Sequence, residues 1–421
     1  MNKSVIAAIA AVFVVGTLDA QITREEMYED LSKSAGLLTP YPGPQQEKLT
    51  KAPKGYKPFY ISHFGRHGSR WHTSFGPYQR AMEQLEAAYK LGKLTPLGED
   101  VLGRVYVLYG DVHKRSGELT PLGIQQHRDI ADRMYHRHKG VFKKGRVVHA
   151  GATSVPRVMM SMRSFCNRLR ECEPALEMDL NASGRCHRYT NRLTAESKKL
   201  YKEAPWRADL KAFRDSLTRP ERLMSVLFND PAYVESNVDQ IELINNLYQL
   251  ASISPNMPVD VRLQDIFTPE ELYNLWQRGN ASYYVTKGPS PIGGKIMHEA
   301  ATPLLKDFIE KADAAIADGN IAADLRFSHD SYLTPLATAM QLAPSRGIAE
   351  SYDDFASVWC DFIVSPMAAN IQWIFYKNRA GDVIVKFLLQ EAEVDIPVET
   401  DIYPYYHWDD VKAFYSNQYN I

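Results

Sequence analysis

Cysteine is scarce: Cys166, Cys172, Cys186 and Cys360 are the four in 421 residues. None forms a C-x-x-C pair, so the common structural zinc motifs are excluded. A chain of this length needs no disulfide framework, and pairing stays open. An excess of either charge is also missing. The formal net charge of −1 excludes a global pull toward nucleic acid or membrane surfaces. Any selectivity for anions must therefore come from a local cluster of Arg, Lys and His. Beyond the first twenty residues no stretch is long and apolar enough for a transmembrane helix. Internal repeats and low-complexity tracts do not stand out either.

What is present is the composition of a globular protein, 45% hydrophobic and 24% charged. The length allows one large domain, or a core domain with a second lobe. Lys3, the apolar run Val5 to Val15 and the small residues ending at Ala20 read as a signal peptide. Cleavage is expected near Ala20, although Leu18 rather than Ala stands three residues before the cut. The mature protein would then be secreted or periplasmic, with no membrane insertion.

Residues 21–55, rich in Pro, Gly and Lys, read as an irregular lead-in. Pro58 to Ser62 reads as a buried strand and Arg146 to Ala150 as a second. Pro77 to Leu91 has helical spacing, with Tyr78, Met82, Leu85 and Tyr89 on one side. Thr120 suits an N-cap with Pro121 at the first helical position, and Thr153/Ser154 with Pro156 gives a similar signal. Residues from about 170 to 290 lean helical, with a capping-box-like start at Thr268 to Glu271. An amphipathic stretch runs from Gly293 to Ile316. Ala323 to Ser328 is a further strand, and the runs Asn370 to Tyr376 and Val383 to Leu388 make a hairpin. Strands alternating with helices indicate an α/β core, and the helical middle indicates a cap.

The chemistry concentrates in Gly65-Arg66-His67-Gly68-Ser69-Arg70, directly after the first strand. Strand C-terminal ends are where α/β sheets bind ligands. Two guanidinium forks suit phosphate oxygens. Gly65 and Gly68 leave room for backbone and substrate to approach. An imidazole between cations is held neutral and nucleophilic.

Four segments together resemble the histidine phosphatase superfamily, in its branch of histidine acid phosphatases and phytases. They are Arg66-His67-Gly68-Ser69-Arg70, Leu119-Thr-Pro-Leu-Gly123 (like L-T-x-x-G), Arg157-Val-Met-Met-Ser161 (like R-x-x-x-S) and His329-Asp330 after a strand. The resemblance covers roughly residues 56–421. It implies a three-layer, phosphoglycerate mutase-like α/β core, at 56–170 and 291–421, with helices on both sheet faces and a helical cap inserted at 171–290. It also implies that Arg66, Arg70, Arg157 and His329 bind phosphoryl oxygens, that His67 attacks phosphorus and that Asp330 protonates the leaving alkoxide. Three arginines do without a metal, so no cofactor or metal ligand is expected. The expected partner is a small phosphate ester, inositol polyphosphate or sugar phosphate, and a monomer is favoured.

Two departures bear on the branch. Trp71-His72 follow the first motif where many members place a Pro. Multiple inositol polyphosphate phosphatases have H-A-E where this chain has His329-Asp330-Ser331, as in bacterial acid phosphatases and phytases. Yet Asn370 to Gln372 and Val385 to Val394, with Gln390-Glu391, resemble the inositol polyphosphate branch, so the branch stays open. His113-Lys114-Arg115 are candidates for a substrate rim, as are Arg185, His187, Arg188 and Arg192. Thr120 reads as a cap only, Arg163 as solvated and Asp324 as a strand-edge polar residue. A mutase-like phosphotransferase fits the signal-like N-terminus and long insertion poorly. A metal site of His63, His67 and His72 fits no common zinc spacing.

Overall fold

The structure, a computed structural model, describes residues 24–44, 46–184 and 195–421. The expected signal peptide, Cys186 and the Arg185–Arg192 basic group lie outside them.

Eight strands form one mixed sheet: β1 (Lys57–Arg66), β2 (Val147–Ala152), β3 (Glu177–Asn181), β4 (Ile321–Ser328), β5 (Asn370–Lys377), β6 (Val383–Leu389), β7 (Ala392–Glu393) and β8 (Tyr406–His407). The order is β3-β2-β4-β1-β5-β6-β7, with β8 also paired to β6. The β3-β2-β4-β1 half is parallel, and β5 to β8 add antiparallel pairs. The central strands are buried on both sides, as in a doubly covered sheet. Along β1, Tyr60 and Phe64 face one core and Ile61 the other. Helices Thr302–Asp318, Asp330–Ala339 and Trp408–Tyr419 cover the first face, and Pro121–Arg137 with Pro156–Cys172 the second. The three-layer α/β expectation matches this architecture.

Several sequence expectations change. The lead-in is not irregular throughout: Arg24–Glu29 is a helix and Leu31–Leu38 a 3₁₀ segment, burying Met27, Ala35 and Gly36. The 171–290 stretch is not wholly a helical cap, because β3 lies inside it as the sheet's edge. Nor does the helical lobe come from that stretch alone. Gly76–Lys90 and Pro96–Val112 share one apolar core with Glu221–Leu227 and Gln240–Ile253. Local spacing shows that a helix has an apolar face, but not which partner covers it. The buried face of Gly76–Lys90 is Tyr78, Ala81, Leu85 and Ala88, while Tyr89 points out, 54% exposed. Val155, not Thr153 or Ser154, caps Pro156–Cys172, without a side-chain bond. The Gly293–Ile316 pattern is split into Ile296–Glu299 and Thr302–Asp318. Asp324 is no strand-edge group: it is buried, accepts from Tyr60 Oη at 2.8 Å and pairs with His149 at 3.4 Å. No helix among the described residues is long and apolar enough to cross a membrane.

Candidate active site

Strand order builds the site. β4 lies between β1 and β2, so three C-terminal strand ends stand side by side. Arg66 pairs in register with Ser328, and Ala152 with Phe327. The next residue after β1 is His67, whose N–H donates to the Ser328 carbonyl at 3.0 Å. The next residues after β4 are His329 and Asp330, and the turn after β2 leads to Arg157. Segments 263 positions apart therefore meet at one point of the sheet.

His67 is 1% exposed. Its Nδ1 lies 2.9 Å from the Gly68 carbonyl, which can only accept. Nδ1 therefore carries the proton, and Nε2 keeps a free lone pair. Burial first, then Arg66, Arg70 and Arg157, holds the ring far below the usual histidine pKa. The ring centroid of His329 is 5.4 Å away. Burial and the Arg157 charge lower His329 to about 4. Both imidazoles are neutral near pH 7.

Arg66 is buried and held from behind. Its Nη1 donates to the carbonyls of Leu37 and Ser365, both at 2.6 Å, and its Nη2 is 3.4 Å from Asp330 Oδ1. Arg70 Nη1 donates to the Trp71 carbonyl at 3.1 Å. Burial and the Arg66 charge bring Arg70 down to about 10, and burial lowers Arg157 too. The Nε of all three arginines is buried without a protein hydrogen-bond partner. A buried unpaired donor costs about 1–3 kcal/mol, so three of them around one imidazole indicate a pocket for an anion.

Asp330 opens the Asp330–Ala339 helix and is 19% exposed. Burial pushes its pKa up, but Arg66, the Tyr283 hydroxyl and Arg70 outweigh it and bring the carboxyl to about 2. Tyr283 donates to Asp330 Oδ2.

The first two motifs lock together through glycine. A Cβ on Gly68 would sit 2.5 Å from the Gly123 carbonyl, and one on Gly123 2.2 Å from the Ser69 carbonyl. Thr120 caps its helix by accepting from the Gly123 N–H at 3.3 Å, while its own N–H donates to Ser69 O at 2.9 Å. Gln126 completes the clamp, accepting from Ser69 N–H and donating to Ser69 Oγ. Gly68 thus lets two backbones come together, as the sequence reading expects of a residue without side-chain bulk. Gly65 makes room for a side chain instead, its would-be Cβ meeting His63 Cε1 at 2.8 Å. Gly123→Ala is expected to cost about 1–3 kcal/mol of stability and to lower turnover by shifting Arg70. Denaturant midpoints and kinetics on the same samples check this; a neutral variant would mean the loops do not touch.

Ser161, part of the third motif, accepts from the Gly68 N–H at 3.1 Å and donates to the Arg157 carbonyl at 2.9 Å, tying Arg157 to the His67 loop. Arg163 is exposed, as expected. Trp71 plugs into the helical lobe, its Nε1 donating to Asp111 at 2.6 Å. Of the rim candidates, Arg115 lies 5.1 Å from the Trp71 ring centroid, and His113 and Lys114 are exposed on the same loop. The loop continues to Gly117, whose would-be Cβ lies 3.6 Å from Arg157 Nη1. Gln390 and Glu391 are structural. Both have positive φ, and Glu391 is buried against Arg133 at 2.7 Å. Asp132, His136 and Cys172 bring three possible metal-ligand atoms within 4.8 Å of one another, but Arg168 already holds Asp132 at 2.5 Å. His63, His67 and His72 form no such group among the described residues.

Sequence reasoning missed Tyr283, Gln126 and the Leu37 and Ser365 carbonyls. It also missed Asp361, which lies behind Arg66 with its carboxyl raised by burial to about 6. Only the tyrosine and glutamine carry a recognisable donor, and nothing local marks a backbone carbonyl as a ligand to a distant arginine.

No family model matches the chain, and neither does any curated protein. Solved structures do. The multiple inositol polyphosphate phosphatase of Bifidobacterium longum, in its phosphate complex, superposes with a TM-score of 0.81 at 20% identity, covering 92% of this chain and 98% of that one. The phytase from D. castellii gives 0.69 at 15% identity, covering 95% and 90%. Hafnia alvei phytase gives 0.54 at 15%, covering 87% and 98%. The chain has the histidine acid phosphatase fold. Within that fold, the first and fourth motifs stand at the ends of β1 and β4, and the second and third open the helices Pro121–Arg137 and Pro156–Cys172.

Proposed function

We propose that the protein is an exported phosphomonoesterase that works through a phosphohistidine at His67 and acts on inositol polyphosphates of the phytate type. The observation that carries this reading is the free Nε2 lone pair of a buried, neutral His67 among three arginines with unpaired donors. Phosphoryl transfer needs positioning and charge stabilisation above all, and this arrangement supplies both.

Arg66, Arg70, Arg157 and His329 hold the phosphoryl oxygens. The Nε2 lone pair attacks phosphorus, the ester P–O bond breaks, and the leaving alkoxide takes the Asp330 proton. Water then attacks the phosphohistidine, gives its proton to Asp330, and the P–N bond breaks to release phosphate. Asp330 is ionised in the free site because the arginines favour its charge. A bound phosphate cancels that field, and an ester monoanion brings the proton the acid needs.

The polyphosphate class is supported by the fold shared with phytases and with the Bifidobacterium enzyme, whose structure was also determined with inositol hexasulfate. Export is supported by the Lys3 to Ala20 pattern.

Phosphate release from phytate and from glucose 1-phosphate tests the reading. Turnover of small esters with phytate untouched would move the assignment to a small-monoester acid phosphatase. Isomerisation without phosphate release would indicate a mutase. Because the proton arrives with the ester, whose second ionisation lies near pH 6, kcat/KM is expected to fall as pH rises through about 6. A flat profile from pH 4 to 8 would reject this proton route.

A further inference from the structure

Arg66 is held from behind by two backbone carbonyls, those of Leu37 and Ser365, each 2.6 Å from its Nη1. A carbonyl aims an arginine only as firmly as its own residue is fixed, and both residues are tied to Asp361. The Ser365 N–H donates to the Asp361 carbonyl at 2.8 Å. The Leu37 N–H bonds to the Asp361 carboxylate. Asp361 is 2% exposed, and Trp276 Nε1 donates to its Oδ1 at 3.0 Å. Burial works against the charge of this carboxylate, while Trp276, the N–H groups of Phe362 and Leu37, and the Arg66 charge favour it. A carboxylate serving only the short Asp361–Val364 turn would need no donor from elsewhere, yet Trp276 and Leu37 bring two from separate segments. Gly36 leaves the space for this approach: its φ is +56°, and a Cβ there would lie 2.8 Å from Asp361 Oδ2. The backbone of Asp361 is fixed as well, its N–H donating to Asn280 Oδ1 at 2.9 Å. Trp276, Asn280 and Tyr283, four and then three positions apart, share one face of the Pro269–Lys287 helix. The helix that meets Asp330 through Tyr283 therefore also braces the back of Arg66.

We propose that Asp361 is a positioning residue, which fixes the Leu37 and Ser365 carbonyls and through them aims the Arg66 guanidinium at the phosphoryl group. This rests on the phosphatase reading above, which gives Arg66 a phosphoryl group to hold. Asp361 itself touches no substrate: it acts through two peptides and one arginine.

The test is a double-mutant cycle on the full-length protein, run well below every melting midpoint. Its readouts are the affinity for inorganic phosphate by calorimetry and kcat/KM for p-nitrophenyl phosphate. Asp361→Asn sets an amide donor among N–H groups that need an acceptor. It is expected to lower phosphate affinity and kcat/KM by about tenfold each. In an Arg66→Lys background, where the planar fork is gone, the same change is expected to cost less than about twofold. A general loss of packing would instead cost the same in both backgrounds, and that result would overturn the proposal. So would an Asp361→Asn protein that folds and keeps wild-type values. If Asp361→Asn does not fold, Trp276→Phe removes one donor and runs the same cycle, with about threefold expected beside Arg66 and the same two results overturning the proposal. A wild type that binds phosphate without hydrolysing the ester fails the phosphatase reading, and the cycle in phosphate affinity still decides the role of Asp361.

Discussion

His67→Ala is expected to lower phosphate release by at least about 10⁴-fold, as removal of a covalent nucleophile does. The reason lies in one atom. Hydrogen bonding to the Gly68 carbonyl fixes the tautomer, so Nε2 is the sole unprotonated nitrogen of that ring. The arginines stay in the variant, because Leu37 and Ser365 hold Arg66 from the far side and Ser161 ties the Arg157 backbone to the loop. His67→Ala is therefore expected to fold and to bind inorganic phosphate, which calorimetry would show. The wild type quenched during turnover of radiolabelled ester is expected to carry acid-labile label on His67. Label elsewhere, or undiminished turnover by the alanine variant, would reject the phosphohistidine route.

Asp330→Asn is expected to separate substrates by leaving group. Alkyl phosphates such as inositol or sugar esters leave as strongly basic alkoxides, so losing the acid is expected to cost about 10²–10⁴-fold. Nitrophenolate leaves without a proton, so kcat/KM for p-nitrophenyl phosphate, which reports the steps up to phosphohistidine formation, is expected to change by less than about tenfold. The comparison is made in kcat/KM because water attack on the phosphohistidine also uses Asp330 and is common to both substrates. Asparagine keeps the shape of the side chain and can still accept from Tyr283. The loss of charge also leaves Arg66 without its 3.4 Å carboxylate, so phosphate is expected to bind at least as tightly. Equal loss on both substrate types would show that the carboxylate organises Arg66 and does not act as the acid.

Much of this site was readable from the chain. The Arg66–Arg70 segment, the Thr120 cap with Pro121, Arg157 with Ser161, and the His329–Asp330 pair all sit where the sequence reading put them relative to strands and helices. These signals are local: a cap needs a hydroxyl three residues from an N–H, and a buried strand needs an unbroken apolar run. The same local rules misplaced Asp324, because a lone Asp in a strand reads as an edge residue until its partners Tyr60 and His149 are known. They gave Gly65 and Gly68 to close approach by backbone and substrate, but could not name the neighbours, which are His63 at the first and the Gly123 backbone at the second.

The sequence by itself determined which groups are present and where along the chain they stand: an imidazole between arginines, a carboxyl after a second histidine, and the strands and helices that end or begin at those positions. Only the tertiary structure decided how they meet. Placing β4 between β1 and β2 aligned three strand ends, the Leu31–Leu38 segment supplied a carbonyl to Arg66, and the Pro269–Lys287 helix brought Tyr283 to Asp330. Local preference acts over a few residues, whereas the choice of partner depends on which apolar faces can be buried together, and that is a property of the whole chain.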